Sequence, residues 1–196
     1  MSGRSLILPM SVSMDGFAGR PDGTIDCRRP LTKKERAHVD LEASGRSIVD
    51  DNLYMVLATA DADGWPWASP VYFASEDYTE LYWVSSPEVT HSRNLAARSE
   101  LSIVVFDSQT PISTGQAVYM SAVAGQVTGA ELERGIAIFS RRALAHGGRE
   151  WTVADVSEPA PLRLYRATVS AHFMLDKSGE GPRYDHRTPV QLTRAG

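Results

Sequence analysis

The sequence predicts a mainly β fold with short helices, a small closed barrel of about six antiparallel strands. Three observations carry this. Short runs rich in β-branched and aromatic residues recur along the chain. The loops between several of them are only a few residues long, which favours antiparallel neighbours in a meander. The last long run, Tyr165 to Leu175, alternates apolar with polar side chains. Closing such a sheet removes the edges it would otherwise expose.

The elements follow in chain order. Residues 1–30 read as an N-terminal extension, an extra strand or arm, and residues 31–196 as the barrel domain. Thr32-Lys33-Lys34-Glu35 has capping-box form and predicts a helix to about Val49. Leu53 to Thr59 reads as a strand, Asp61-Ala62-Asp63-Gly64 as its hairpin loop, and Pro66 to Ala74 as the return strand. Glu80 to Ser85 is the third strand. Ser86-Pro87-Glu88 signals a helix start, with Ser86 as N-cap, and the helix carries Thr90 to Ala97. Leu101 to Phe106 is nearly continuous in apolar residues, as a strand buried on both faces would be. Gln116 to Val127 follows, with Gly125 marking a bulge or close backbone approach. Thr128-Gly129-Ala130-Glu131 has the form of a second capping box. It opens a helix that Gly147-Gly148 stops near His146. In the last strand Tyr165, Ala167, Val169, Ala171, Phe173 and Leu175 form the apolar set, leaving His172 on the polar side.

Composition excludes several classes. The chain has 196 residues, 42% of them hydrophobic and 22% charged, which suits one globular domain. Its 20 Lys+Arg against 24 Asp+Glu give a net charge of −4, so no nucleic-acid field is expected. Cys27 is the only cysteine, ruling out an internal disulfide and a cysteine-based zinc cluster. No run approaches the roughly 20 apolar residues that span a bilayer, and no secretory signal is evident. A cytoplasmic protein without membrane partners is the expectation. The histidines, at 38, 91, 146, 172 and 186, show no metal-ligand spacing. No P-loop, no Gly-x-Gly-x-x-Gly after a strand and no Gly-x-Ser-x-Gly elbow occurs.

One region stands out. Ser85 and Ser86 end a strand, and Thr90-His91-Ser92-Arg93-Asn94 follows at a helix N-terminus. Free backbone N–H groups, hydroxyls, an imidazole and a guanidinium there suit a phosphate. A capped, solvated helix with its polar residues facing water is the competing reading.

The order of these elements resembles the pyridoxamine 5'-phosphate oxidase-like, FMN-binding split-barrel family over about residues 35–192. The matching stretches are Gly64 to Phe73, Trp83-Val84-Ser85-Ser86, and His91 to Leu95 leading into Leu101 to Phe106. The resemblance implies a split β-barrel of FMN-binding type, a homodimer with the cofactor at its interface, and flavin-dependent oxidoreductase activity on a small-molecule substrate. It places Ser69, Pro70, Val71 and Tyr72 along the flavin ring. Ser85, Ser86, His91, Ser92, Arg93 and Asn94 would hold the ribityl phosphate. Asp107, Ser108, Gln116 and Arg187 fall where relatives add contacts, partly from a second subunit. The chain also departs from the pattern. Authentic oxidases carry an arginine where Ser69 stands and a lysine near His91, and vitamin B6 oxidation is therefore not assigned. The deazaflavin F420 is the alternative cofactor. A non-catalytic flavin, F420 or haem binding or storage protein is the alternative function, and a hydrolase built from Ser, His and Asp side chains is a third.

Other features carry plainer readings. Trp65 and Trp67, beside a hairpin turn, suit rim or dimer packing, with stacking on a ligand as the alternative. Trp151 suits ordinary packing in a loop, with an active-site cover as the alternative. Arg183 to Arg187 is a charged turn before the final strand. His172 reads as a satisfied structural histidine. Met10 to Gly23 is similar to the opening strand and loop of a dihydrofolate-reductase-like riboflavin-biosynthesis reductase, whose nucleotide-binding remainder this sequence lacks.

Overall fold

Strand pairing in the computed structural model, which describes residues 17–19, 25–30, 41–112, 114–175 and 187–193, organises the chain around one sheet. In chain order the elements are β1 (Phe17–Gly19), β2 (Ile25–Pro30), α1 (Leu41–Asp51), β3 (Tyr54–Ala60), β4 (Pro66–Tyr72), β5 (Ala74–Glu76) and β6 (Glu80–Ser85). There follow α2 (Thr90–Ala97), β7 (Glu100–Phe106), β8 (Ala117–Gln126), α3 (Glu131–Ala145), a 3-10 turn (Val153–Val156), β9 (Arg163–Leu175) and β10 (Arg187–Val190). The main sheet runs β4-β3-β7-β8-β9-β6-β5, with β10 on β9 and every pair antiparallel. β1 and β2 form a separate two-stranded sheet. The Thr32 capping box lies outside the described residues.

The mainly β split barrel of the sequence reading is present, but the barrel is not closed by hydrogen bonds. Residues 66–76, expected as one return strand, bend at Phe73. β4 pairs with β3 at one end of the sheet, and β5 pairs with β6 at the other. Beyond the bend β4 and β6 form no ladder with each other, so the barrel wall is split between them. The expected meander holds for β3–β4, β5–β6 and β7–β8–β9. It fails after β6, because α2 carries the chain across the barrel end and β7 pairs with β3.

Two apolar clusters result. The barrel interior holds Met55, Leu57, Leu81, Trp83, Ile103, Val105, Val118, Met120 and Tyr165, with Val49 of α1 among them. A second cluster lies where α3 covers the outer side of β6, through Tyr82, Ile136, Phe139, Val156 and Leu164. No described helix is long and apolar enough to cross a membrane.

Several local expectations are corrected. β7 is not buried on both faces: Leu101, Ile103 and Val105 point inward while Ser102 and Phe106 are exposed. The bulge is not at Gly125, which pairs regularly with Arg166. The register instead shifts between Ser121 and Ala122, leaving Ser170 as the extra residue on β9. One extra residue reverses the parity of everything beyond it. Tyr165, Ala167 and Val169 are buried as expected, but beyond Ser170 the buried residues are His172 and Met174. His172 therefore lies inside, and its Nε2 is 2.8 Å from the Tyr78 carbonyl oxygen. The second capping box is absent. Ala130 is the N-cap without a side-chain bond, because Glu131 turns toward Arg134 and Arg166 (3.5 Å each). The stop at the other end is as read: Gly147 has φ +77°, and Gly148 N–H bonds the Ala143 carbonyl at 2.8 Å.

Gly135 lets α3 lie close to the sheet. A Cβ there would stand 2.8 Å from both Leu164 Cδ2 and Tyr82 Cε1, whereas one at Gly125 meets nothing within 4 Å. Gly135→Val is expected to cost about 1–3 kcal/mol by overpacking. Gly125→Ala should stay within about 0.5 kcal/mol. Thermal melts of the two variants check both values.

Candidate functional site

β6 delivers Ser85 to the open end of the split, and the chain turns there before entering α2. The turn is held by Ser86, whose Oγ accepts the Glu88 N–H at 3.2 Å. Ser86 is thus not the helix N-cap. That position belongs to Val89, which makes no side-chain cap bond. The first intrahelical bond runs from Arg93 N–H to the Val89 carbonyl at 3.1 Å. By helix geometry the N–H groups of Thr90, His91 and Ser92 precede it and have no intrahelical acceptor.

The polar side chains of α2 divide by burial. His91, Ser92 and Asn94 are buried with Leu95, while Arg93 is exposed. His91 Nε2 lies 2.8 Å from Ser85 Oγ, joining helix to strand end. Asn94 Nδ2 donates to Thr59 Oγ1 at 3.1 Å, and the Thr59 hydroxyl reaches the Trp67 carbonyl at 3.3 Å. Ser92 Oγ is buried and has no hydrogen-bond partner. Arg93 folds back, donating to the Glu88 carbonyl.

β4 forms the other wall. Its register opposite β3 pairs Ser69 with Leu57 and Val71 with Met55, so Ser69 and Val71 share the inward face. Pro70 and Tyr72 take the opposite face, where Tyr72 meets Tyr54 edge-on at 6.2 Å and Phe139 at 5.5 Å. Trp67 also lies on the inward-facing register, and its Nε1–H donates to Ser69 Oγ at 3.0 Å. Among the described residues β4 pairs only with β3, so the backbone groups along its other edge are free for a ligand. The packing expected of the other tryptophans is partly seen. Trp151 meets Phe139 edge-on at 5.5 Å, whereas Trp65 is 76% exposed.

The remaining predicted residues gather elsewhere. Asp107 and Ser108 cap a turn with Gln109 after β7, through Asp107 Oδ1 to Gln109 N–H at 2.8 Å. Gln116 precedes β8, and its buried Oε1 has no partner. Phe106 pairs with Ala117 and Val104 with Val56, placing this group by Tyr54. Thr59 lies five residues along β3, roughly 17 Å away at strand rise. Arg187 stacks its guanidinium 4.1 Å over the Tyr119 ring. It borders a hollow of about 350 Å³ on the outer sheet face, with Ser102, Val104, Ser121 and Phe173. Arg183 to His186 lie outside the described residues. No metal-holding group of His, Cys, Asp or Glu occurs among the described residues.

Sequence reasoning missed Thr59 and the bond between Trp67 and Ser69. Thr59 follows Met55 and Leu57 at inward positions, and a hydroxyl there needs a buried partner. That parity was the available signal. Trp67 and Ser69, two residues apart on one strand, share a face, and that spacing was the signal for their bond.

Burial holds the imidazoles of His91 and His172 below the ordinary histidine range, the Tyr78 carbonyl partly opposing the shift for His172. The strands against which α2 packs, β3, β4 and β8, carry no charged side chain. The site is built from neutral donors.

Comparison with known proteins agrees with the architecture. Residues 41–174 match the family model described as pyridoxamine 5'-phosphate oxidase, so the chain belongs to that family. No curated protein sequence matches it. Among solved structures it is similar to HutZ, the haem storage protein of Vibrio cholerae, with TM-score 0.54 and 21% identity over 66% of this chain and 90% of that one. It is similar to a haem binding protein from Mycobacterium smegmatis, with TM-score 0.55 and 20% identity over 83% of this chain and 59% of that one. Campylobacter jejuni ChuZ gives TM-score 0.59 and 15% identity, over 80% and 62%. At these identities the likeness is one of fold.

The neutral imidazoles make stability depend on pH. Their folded pKa values lie below the unfolded value of about 6.5, so the unfolded chain binds more protons below that pH. The stability they contribute is complete above about pH 6.5 and is lost as pH falls through the folded values. The melting temperature is expected to drop from about pH 7 to about pH 5. His172→Gln should flatten that drop, which calorimetry at several pH values measures.

Proposed function

We propose that this member of the pyridoxamine 5'-phosphate oxidase family binds FMN in the split between β4 and α2. It would use the flavin as an oxidoreductase on a small molecule. One observation carries the reading. Ser85, His91 and the unpartnered buried hydroxyl of Ser92 meet at the first turn of α2, beside a strand whose edge is free. A phosphate monoester finds there hydroxyl donors and the unpaired N–H groups of Thr90 to Ser92. A flat ring finds β4, where Ser69 and Val71 present one face and the free backbone edge offers donors and acceptors to its polar rim.

When bound, FMN supplies the hydride or electron acceptor for the reaction. The chain's own residues orient it. Ser85, Ser86, Ser92 and the α2 amides fix the phosphate, Asn94 and Thr59 brace the helix against β3, and the Trp67–Ser69 bond fixes the ring platform. No described residue is assigned an acid–base role. Substrate specificity would come from residues that close over the exposed side of the ring.

A homodimer completes this reading. The outer face of β3, β7 and β8 exposes Tyr54, Phe106 and Val123, at 61%, 44% and 51%. Tyr54 and Phe106 lie side by side at one end of β3 and β7, an exposed aromatic pair suited to burial against a second copy, while Val123 lies at the other end. A second copy packed there would bring its Asp107, Ser108 and Gln116 to the first copy's flavin, which explains why those residues lie at the far end of β3 from Ser85. Phe106→Asp is expected to convert a dimer to monomer in sedimentation analysis and to weaken FMN binding.

A haem-binding reading is favoured by the two similar structures named for haem. Haem needs an axial ligand. Among the described histidines, His91 is engaged by Ser85 and His172 by the Tyr78 carbonyl, while His146 is an exposed residue at the C-terminus of α3. His38 and His186 lie outside the described residues. The flavin reading therefore uses more of the observed geometry.

The absorbance spectrum of the purified protein separates the readings: flavin bands in the blue, or a Soret band for haem. Mass spectrometry of the released molecule separates FMN from F420. Ser85→Ala should weaken FMN binding about tenfold, the value of a hydrogen bond to a charged group. Riboflavin, which lacks the phosphate, should bind wild type and variant alike. Equal FMN affinity in the two proteins would sink the assignment of Ser85.

A further inference from the structure

Among the described residues, the proposed phosphate site has no cation bonded to its hydroxyls. Two guanidiniums lie near it, and both keep their charge while donating to main-chain carbonyls. Arg93 donates to the Glu88 carbonyl. Arg163, which pairs with Ser85 across the β6–β9 ladder, donates to the carbonyls of Ala160 and Leu162 and lies 3.7 Å from Glu158. The other charged groups nearby are also engaged. Arg98 reaches the Ala62 carbonyl, Asp61 accepts N–H groups of its own hairpin turn, and Glu80, at the far end of β6, pairs with Arg134 and Arg166. α2 packs on β3, β4 and β8, none of which carries a charged side chain. Glu88, in the turn before α2, adds a carboxylate that opposes an anion, and His91 is the one base in the first turn of α2 that can gain a proton.

We infer that His91 supplies the missing charge: docking of a phosphate monoester draws one proton from solvent onto its imidazole, so anion binding at this site is proton-coupled. The inference deepens the flavin-phosphate reading and rests on it for the location of the anion. The geometry supports it in three ways. Nε2 of His91 is 2.8 Å from Ser85 Oγ, and an imidazolium must donate there. Ser85 Oγ then accepts that bond, and its own hydrogen turns to the anion. Ser92 Oγ, 3% exposed by residue and unpartnered, lies one residue along the same turn and gains an acceptor from the ligand. Finally, His91 stands in the first turn of a helix, where the dipole opposes a cation until an anion sits at the helix end. Burial keeps the free ring neutral, so the proton is there to be gained.

The sign follows from the two states. With the bound pKa of His91 above the free one, affinity falls as pH rises between the two values, by up to about tenfold per pH unit, while below about pH 6 protonation of the phosphate itself opposes the trend. The test uses the wild-type protein stripped of bound cofactor. FMN is titrated calorimetrically at about pH 7 in phosphate-free buffers of different ionisation enthalpy, and riboflavin is titrated in the same way. In parallel, NMR follows the imidazole signals against pH with and without inorganic phosphate. Expected are net uptake of about 0.5–1 proton per FMN, none with riboflavin, and a His91 pKa raised by about one unit or more in phosphate while His172 stays put. FMN binding without proton uptake, or equal uptake with riboflavin, overturns the inference and leaves the flavin reading standing. Failure to bind FMN, with His91 still shifted by phosphate, overturns the flavin reading and supports the proton coupling. No response to either ligand overturns both.

Discussion

The bend at Phe73 is the constraint on which the rest of the molecule depends. One extended segment pairs with β3 before it and with β6 after it, so it joins both ends of a sheet that would otherwise lie open. Arg142 of α3 fixes the bend. Its guanidinium lies 5.1 Å over the Phe73 ring and donates to the carbonyls of Val49, Asp50 and Asn52 at the end of α1. Those carbonyls have no intrahelical partner, so a single side chain satisfies a helix end while it pins the barrel's corner. Closing the barrel by bending has a geometric consequence. Beyond the corner β4 and β6 must part, and the gap they leave is where the free strand edge meets the start of α2.

A second junction secures the opposite side of the corner. Asp77 and Tyr78 both take left-handed backbone conformations, with φ of 48° and 59°, a strain of order 1–3 kcal/mol each for such side chains. Burial and bonding offset it. Tyr78 is 8% exposed, its hydroxyl donates to Asp50 Oδ2 at 2.8 Å, and His172 meets its carbonyl. His172 can do so only because the extra residue at Ser170 turns the end of β9 inward. Bulge, strained turn and α1 therefore act together, and they do so at the corner that Arg142 holds.

Much of the architecture was legible in the sequence because it rests on period and punctuation. Alternation identified β9, short loops identified the hairpins, and Gly147-Gly148 marked the end of α3. What stayed hidden is what depends on pairing partners. A continuous apolar run cannot state whether a strand is covered on one face or both, so β7 reads as fully buried until its outer face is seen. A bulge is a property of two strands. Gly125 advertises one, yet the observed shift falls opposite Ser170, a residue with no local signature. Capping boxes fail for the same reason: Glu131 is drawn away by Arg166 from another element. For the site, the cluster from Ser85 to Asn94 was visible because strand end and helix start are adjacent in sequence. The Asn94–Thr59 brace was not, since it joins groups that only the folded sheet brings together.

The net charge of −4 conceals how the site is made. An arginine at position 69, as in authentic oxidases of the family, would hold an anion at every pH and would attract any anion. Ser69 cannot, and its hydroxyl accepts from the Trp67 indole instead. A pocket made of hydroxyls, helix amides and one buried imidazole works by geometry, because neutral donors reward an acceptor only when it is correctly placed. Such a pocket binds less tightly than one with fixed cations and discriminates more by shape. The strands against which α2 packs carry no charged side chain, so they offer an ill-placed anion no compensating cation. The same neutrality accounts for the packing of α2 itself. Three of its polar side chains are buried: His91 and Asn94 bond Ser85 and Thr59, while the Ser92 hydroxyl has no partner among the described residues.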